Sequence, residues 1–373
     1  MKALTITFYN TVPVLSIRGQ ENKYNTMDHI ENFQKIVEGL QRKKRNIHLL
    51  LGNGFSMAYD SKIFSYNALA DFVSKVQDPT LAKLFGVLKT KNFELIMEQL
   101  TTFSALLHAL GAEDELQKKV VEAHQKLKIS LLDAIKGLHP EHVFKIPNEK
   151  IASCANFLHF FLDNGGNIFS TNYDLLLYWV LMRANFPQAI DGFGRELLNP
   201  VEVGRKQEEQ ELSNLRWGPN KDTQNIHYLH GALPLFDTGA EIEKEQYNEE
   251  GWLLENISRR LDAGEYPIFV TAGGAEEKLE LIRHNRYLSN CYDRLCTIDG
   301  SVISFGFGFG EYDDHIIHAL NRASHAANKT PPKLWSIYIG VYSDSGRKHI
   351  ESIEHKFHAK VYTFDAKSAN PWS

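Results

Sequence analysis

The chain has 373 residues, 43% hydrophobic and 23% charged, and its 41 Lys plus Arg against 46 Asp plus Glu give a formal net charge of −5. With 22 Phe, 15 Tyr and 5 Trp to bury it is not a disordered chain, and its slight acidity excludes nucleic-acid binding by bulk positive charge. Cys154, Cys291 and Cys296 contain no C-x2-C pair, so neither a disulfide framework nor a zinc ribbon is expected.

The N-terminal residues 1–20 mix Lys2, Asn10 and Arg18 with apolar residues and lack a signal-peptide core. No apolar run reaches the ~18 residues of a membrane span. A cytoplasmic protein with no membrane partner is therefore expected. Residues 26–41 place Ile30, Phe33, Ile36, Val37 and Leu40 at helical spacing. The basic run at 42–45 reads as a solvated helix end. Residues 46–52 form a short apolar run ending in glycine, which predicts a buried strand and a turn. This sets an N-terminal extension at 1–45 before a main domain at 46–373.

The pattern over 66–137 is helical, with Leu95, Ile96, Leu100, Phe103 and Leu107 recurring at three and four and few glycines or prolines. It predicts a helical insertion at about 60–145, after the first strand. A further helix is expected at 150–162. Beyond it, strands at 167–171, 226–229, 267–271, 301–305, 334–339 and 361–364 alternate with helices at 174–183, 276–283, 287–297, 313–326 and 346–357. Residues 195–223 and 237–250 are polar and acidic and read as surface loops. The alternation predicts an α/β fold with a Rossmann-like parallel sheet, whose ligands bind at the carboxyl ends of the strands.

Four motifs follow predicted strands. Gly52-Asn53-Gly54-Phe55-Ser56 follows the first, where glycines and a helix N-terminus suit a diphosphate, or simply make a tight turn. A dehydrogenase fingerprint asks for a third small residue where Met57 stands, which argues against hydride transfer. Thr171, Asn172, Tyr173 and Asp174 end a second strand; Asn172 or Asp174 serves either a ligand or as a helix N-cap. His230-Gly231 ends a third strand, offering a general base or a structural donor. His227 and His230 fall on opposite strand faces and are not expected to share a metal. Gly306, Gly308 and Gly310 follow a fourth strand and precede Asp313, Asp314 and His315. His315 and His318 share a helix face, but no third metal ligand is evident, so no metal is expected.

In this order the motifs resemble the SIR2-like (sirtuin-related) NAD-binding superfamily, from about residue 46 to 364, and within it the zinc-free bacterial branch that includes the DUF4917 group. The stretch containing Ala275-Glu276-Glu277-Lys278-Leu279 and Asn285-Arg286-Tyr287-Leu288 is similar to that branch. The resemblance implies a diphosphate loop at Gly52, Asn53, Gly54, Phe55 and Ser56, with Thr171 beside it. It makes Asn172 and His230 catalytic, and Asp174 the partner of the nicotinamide carboxamide. Gly306 begins a ribose-contacting loop, although Gly308 stands where that family often has serine. Ser343 and Asp344 reach toward the adenine end.

The activity so implied is NAD+ hydrolysis to nicotinamide and ADP-ribose, in anti-phage defence by abortive infection. NAD+ is then the substrate, and breaking its N-glycosidic bond calls for no further cofactor. Such an enzyme needs restraint, so a homo-oligomer or a separately encoded sensor subunit is expected as partner. The rivals are a deacylase or ADP-ribosyltransferase using the same chemistry, and an NAD- or ADP-ribose-binding regulatory subunit without turnover. The missing cysteine ribbon speaks against the deacylase.

Overall fold

The computed structural model describes residues 31–64, 79–88, 93–111, 113–140, 142–196, 213–247, 251–263, 265–270, 274–324 and 334–373. The strands in chain order are β1 (Glu31–Asn32), β2 (Ile47–Leu51), β3 (Ile168–Ser170), β4 (Phe193–Gly194), β5 (Arg216–Trp217), β6 (Ile226–Tyr228), β7 (Gly231–Asp237), β8 (Ile242–Lys244), β9 (Pro267–Phe269), β10 (Gly300–Phe305), β11 (Leu334–Val341) and β12 (Lys360–Asp365). Seven of them make a parallel sheet in the order β1-β12-β11-β10-β2-β3-β6. Every residue of β2 and β10 is buried. A central parallel strand is covered on both faces, which is why IHLLL and GSVISF show no strict alternation of apolar and polar residues. The architecture is the Rossmann-like α/β sheet that the alternation predicts.

From β2 the chain moves toward β3 and β6, whereas from β10 it moves the other way, toward β11 and β12. The reversal lies between β2 and β10. Such a switch point leaves a crevice outside the carboxyl ends of the strands, because the two connecting loops part there. The register aligns Phe305, Leu51, Ser170 and Tyr228 in one row across four neighbouring strands. The four motif loops therefore leave the sheet from a single edge.

One compact unit spans Glu31–Ser373. β1 pairs with β12, and the helix Phe33–Arg42 buries Ile36, Val37 and Leu40. Asn32 caps that helix by accepting the Gln34 N–H at 2.8 Å. Residues 26–30 of the expected helix lie outside the described residues. The insertion thus follows the second strand; it contains helices Ser61–Phe64, Pro79–Leu88, Phe93–Ala109 and Asp114–Leu138. The helices expected after it are present as Asn148–Asp163, Leu176–Arg183, Ala275–His284, Arg286–Leu295, Asp314–Ser324 and Asp344–Ile353.

A second, antiparallel sheet in the order β4-β5-β8-β7-β9 was not visible in the sequence. The expected strand at 267–271 is found as β9, but it joins this sheet and not the parallel one. The stretches read as loops carry β5 and β8 within them, while residues 197–212 and 248–250 lie outside the described residues. The helix Leu253–Asp262 also went unpredicted; Leu253, Leu254 and Ile257 are its buried contacts. Among the described residues no helix is long and apolar enough to cross a membrane.

Candidate active site

The two glycine-rich turns pack against each other at the switch point. The Gly52 N–H donates to the Phe305 carbonyl at 3.1 Å, and the Gly54 N–H to the Gly306 carbonyl at 2.8 Å. A Cβ on Gly52 would stand 2.5 Å from Phe307 Cα, and one on Gly54 2.6 Å from Gly306 Cα. Gly306 has φ +71°, and its own Cβ would stand 2.4 Å from the Phe55 nitrogen. The close approach these glycines permit is thus used by one loop against the other. At Gly308 a Cβ meets open space, so the chain tolerates the serine that the resemblance would place there.

The helix Asn53–Tyr59 then turns Ser56 inward, where it is wholly buried. Its hydroxyl donates to Asp174 Oδ2 and accepts from Asn172 Nδ2 at 3.0 Å. Ser56 therefore joins the Asn172 and Asp174 cluster, where the sequence placed it on a diphosphate loop. Asp174 also accepts the Leu176 N–H at 2.9 Å, at the start of the helix Leu176–Arg183. Burial pushes the Asp174 carboxyl up, and the Ser56 and Leu176 hydrogen bonds oppose this. Asn172 Oδ1 is buried with no hydrogen-bond partner. An unpaired buried acceptor costs about 1–3 kcal/mol, which a ligand donor would recover.

His230 stands where the chain passes from one sheet to the other. Gly231 makes that passage with φ +80°, so close to the Ile268 carbonyl that a Cβ would lie 1.9 Å from its oxygen. The Val270 N–H donates to the His230 carbonyl at 3.0 Å, and Tyr173 Oη donates to the Val270 carbonyl at 2.7 Å. The backbone at 270 thereby ties His230 to the Asn172 loop. His230 Nε2 faces His315 Nε2 at 2.8 Å. Lys278, wholly buried on the helix Ala275–His284, places Nζ 3.3 Å from Asp313 Oδ1. Burial, with His315 and Lys278 nearby, holds His230 well below the ordinary histidine value. Burial and Lys278 push His315 down to about 3. Both imidazoles are neutral, so one Nε2 donates and the other accepts.

His227 lies apart from His230, stacked on Phe169 and 3.2 Å from Asn167 Oδ1. His318 is exposed while His315 is buried. The third partner that His315 lacks on its own helix face comes from elsewhere: His230, Asp313 and His315 each offer a ligand atom, all within 4.8 Å of one another. Neighbouring acidic and histidine residues after the fourth motif gave a partial signal for this. Lys278 stood out only as part of the stretch similar to the bacterial branch, because a lysine on a helix reads as exposed.

Other candidates have local work. The Thr171 hydroxyl donates to the Leu51 carbonyl at 3.2 Å. Phe55 is core, its ring tilted against Trp372 with centroids 5.0 Å apart. Asn53 opens its helix and is half-buried. Ser343 caps the helix Asp344–Ile353 through the Gly346 N–H, and Asp344 is exposed beside Arg347. They follow β11, next to β10 in the sheet.

The model of a protein family, DUF4917, described as a domain of unknown function, matches residues 49–372. No curated protein matches the chain.

Proposed function

The chain belongs to the DUF4917 family, and from its site we propose that it is an NAD+ hydrolase of SIR2-like type, releasing nicotinamide and ADP-ribose. The observation that carries this reading is the buried, unpartnered Oδ1 of Asn172. It sits at the carboxyl edge of a parallel sheet beside the switch point, with its amide nitrogen already held by Ser56. Oδ1 is then left to accept a hydroxyl of the nicotinamide ribose.

In the proposed reaction a water oxygen bonds to the anomeric carbon as the bond to nicotinamide nitrogen breaks. The bonding pair goes to that nitrogen and neutralises the pyridinium, so the leaving group needs no acid. The water proton passes to His230. With Nε2 directed at His315, the accepting atom is Nδ1. Asn172 orients the ribose in the oxocarbenium-like transition state. Asp174 holds Ser56 and the following helix, which fixes Asn172, and its remaining lone pairs accept from the carboxamide. On the resemblance, the two turns at Gly52 to Phe55 and Gly306, packed on each other, would lie near the diphosphate and ribose, with Ser343 and Asp344 toward the adenine.

A second reading, an NAD+- or ADP-ribose-binding subunit without turnover, draws on one observation: His230 Nε2 is already engaged by His315. On the resemblance to zinc-free bacterial domains we place the hydrolase in abortive infection, held inactive until a partner subunit or ligand releases it. Incubating purified protein with NAD+, alone and with the products of neighbouring genes, tests both readings. Nicotinamide and ADP-ribose are expected. NAD+ bound but unconsumed in every combination would support the binding subunit, and a mass shift on a partner would reveal a transferase.

A further inference from the structure

We infer that His230, His315 and Asp313 form a site for a divalent transition-metal ion of the zinc type, and that an ion held there silences His230. The silencing rests on the role proposed above for His230; the binding does not.

Two imidazoles and one carboxylate are the donor set that zinc, cobalt and nickel accept. The two Nε2 atoms stand 2.8 Å apart, and a carboxylate oxygen of Asp313 lies within 4.8 Å of both. A tetrahedral ion with bonds of about 2.0–2.1 Å needs its ligand atoms roughly 3.3 Å apart. The rings therefore open by about half an ångström while the carboxylate closes in, a movement within reach of side-chain rotation. The backbones are anchored on both sides. The His230 carbonyl accepts the Val270 N–H, and the His315 carbonyl accepts Tyr292 Oη at 3.0 Å.

Lys278 sets the selectivity. Its ammonium shares Asp313 and repels any cation brought to that carboxylate. The ion is consequently held chiefly by the imidazoles. Mg2+ and Ca2+, which require oxygen-rich shells, are refused. Silencing follows from proton bookkeeping on one ring. A neutral imidazole that gives its Nε2 lone pair to a metal carries its proton on Nδ1. That atom then has no lone pair for the proton of the attacking water.

The test uses the full chain stripped with a chelator and titrated with ZnCl2 by calorimetry, with CoCl2 followed by visible absorption. One zinc per chain is expected, undisturbed by excess MgCl2, with cobalt bands of a nitrogen- and oxygen-ligated tetrahedral site. His315→Ala lowers zinc affinity at least tenfold. Lys278→Met, which removes the opposing charge beside Asp313, raises it at least tenfold. Absence of one-to-one binding, thiolate-to-cobalt bands, or unchanged affinity in both variants would overturn the site. In the nicotinamide-release assay, zinc inhibits wild type and His315→Ala loses that inhibition. Zinc bound here, in a chain that releases no nicotinamide even when stripped of metal and assayed with the products of neighbouring genes, would uphold the metal site and overturn the hydrolase.

Discussion

Ser56 is the residue on which the site turns. Its hydroxyl donates to one buried acid and accepts from one buried amide, so neither neighbour is properly held without it. Ser56→Ala leaves Asp174 with one donor fewer and Asn172 Nδ2 unpaired. We expect a loss of about 1–3 kcal/mol in urea unfolding and at least a tenfold fall in nicotinamide release. The glycines separate by their surroundings. Gly52→Ala drives a methyl against Phe307 backbone, costing roughly 1–3 kcal/mol as the loops part. Gly308→Ala or Gly308→Ser points into open space and changes stability by less than about 0.5 kcal/mol. Equal thermal midpoints for the Gly52 and Gly308 variants would contradict this packing. At this scale the sequence showed which residue types stood at strand ends. It could not show that Ser56 would face Asn172, 116 positions away along the chain, because that contact exists only once β2 and β3 pair.

At the scale of elements, the start of the helix Leu176–Arg183 joins the insertion to the site. Its first N–H groups are taken by Asp174 and by His139 Nε2, which accepts from Leu175 at 2.9 Å. His139 follows the helix Asp114–Leu138 and meets Trp179 edge-on at 4.6 Å. Burial pushes its imidazole down to about 3 from the ordinary 6.5. Between those values the unfolded chain binds the proton and the folded one does not. Stability therefore falls as pH drops from 6.5 toward 3, by at most about 1.4 kcal/mol per pH unit from this group, and is flat in this respect above 6.5. His139→Gln, measured by denaturant unfolding at several pH values, should show the shallower slope; an unchanged slope would remove His139 from the account. Long helices and central strands were legible because period and burial agree in them. β4, β5 and β8 were not: they are two or three residues long, and their pairing partners, not their composition, make them strands. β9 was legible as a strand but not as to its sheet, since an apolar run looks alike in either.

For the whole molecule, the C-terminal residues close over the first motif. Trp372 donates Nε1–H to the Phe55 carbonyl at 2.9 Å, packs 5.0 Å from Phe55 and 5.1 Å from Tyr59, and is 3% exposed. Trp372→Ala should cost about 3–5 kcal/mol and, by loosening the helix that carries Ser56, lower nicotinamide release as well. A stability loss with undiminished turnover would show that the helix holds its place unaided. The three cysteines are buried as small apolar groups, and burial pushes Cys291 up to about 12 and Cys296 to about 11. These thiols should resist alkylation until the chain unfolds.

The central claim is that Asn172 and His230 act together on one glycosidic bond, and it is tested most directly by nicotinamide release from NAD+ alongside NAD+ binding. Wild type, Asn172→Ala and His230→Ala are compared under the conditions in which wild type is active. The account predicts release by wild type, at least a hundredfold loss in each variant, and NAD+ binding that survives in both. Turnover retained by both variants, or wild type that binds NAD+ and never releases nicotinamide, would contradict it.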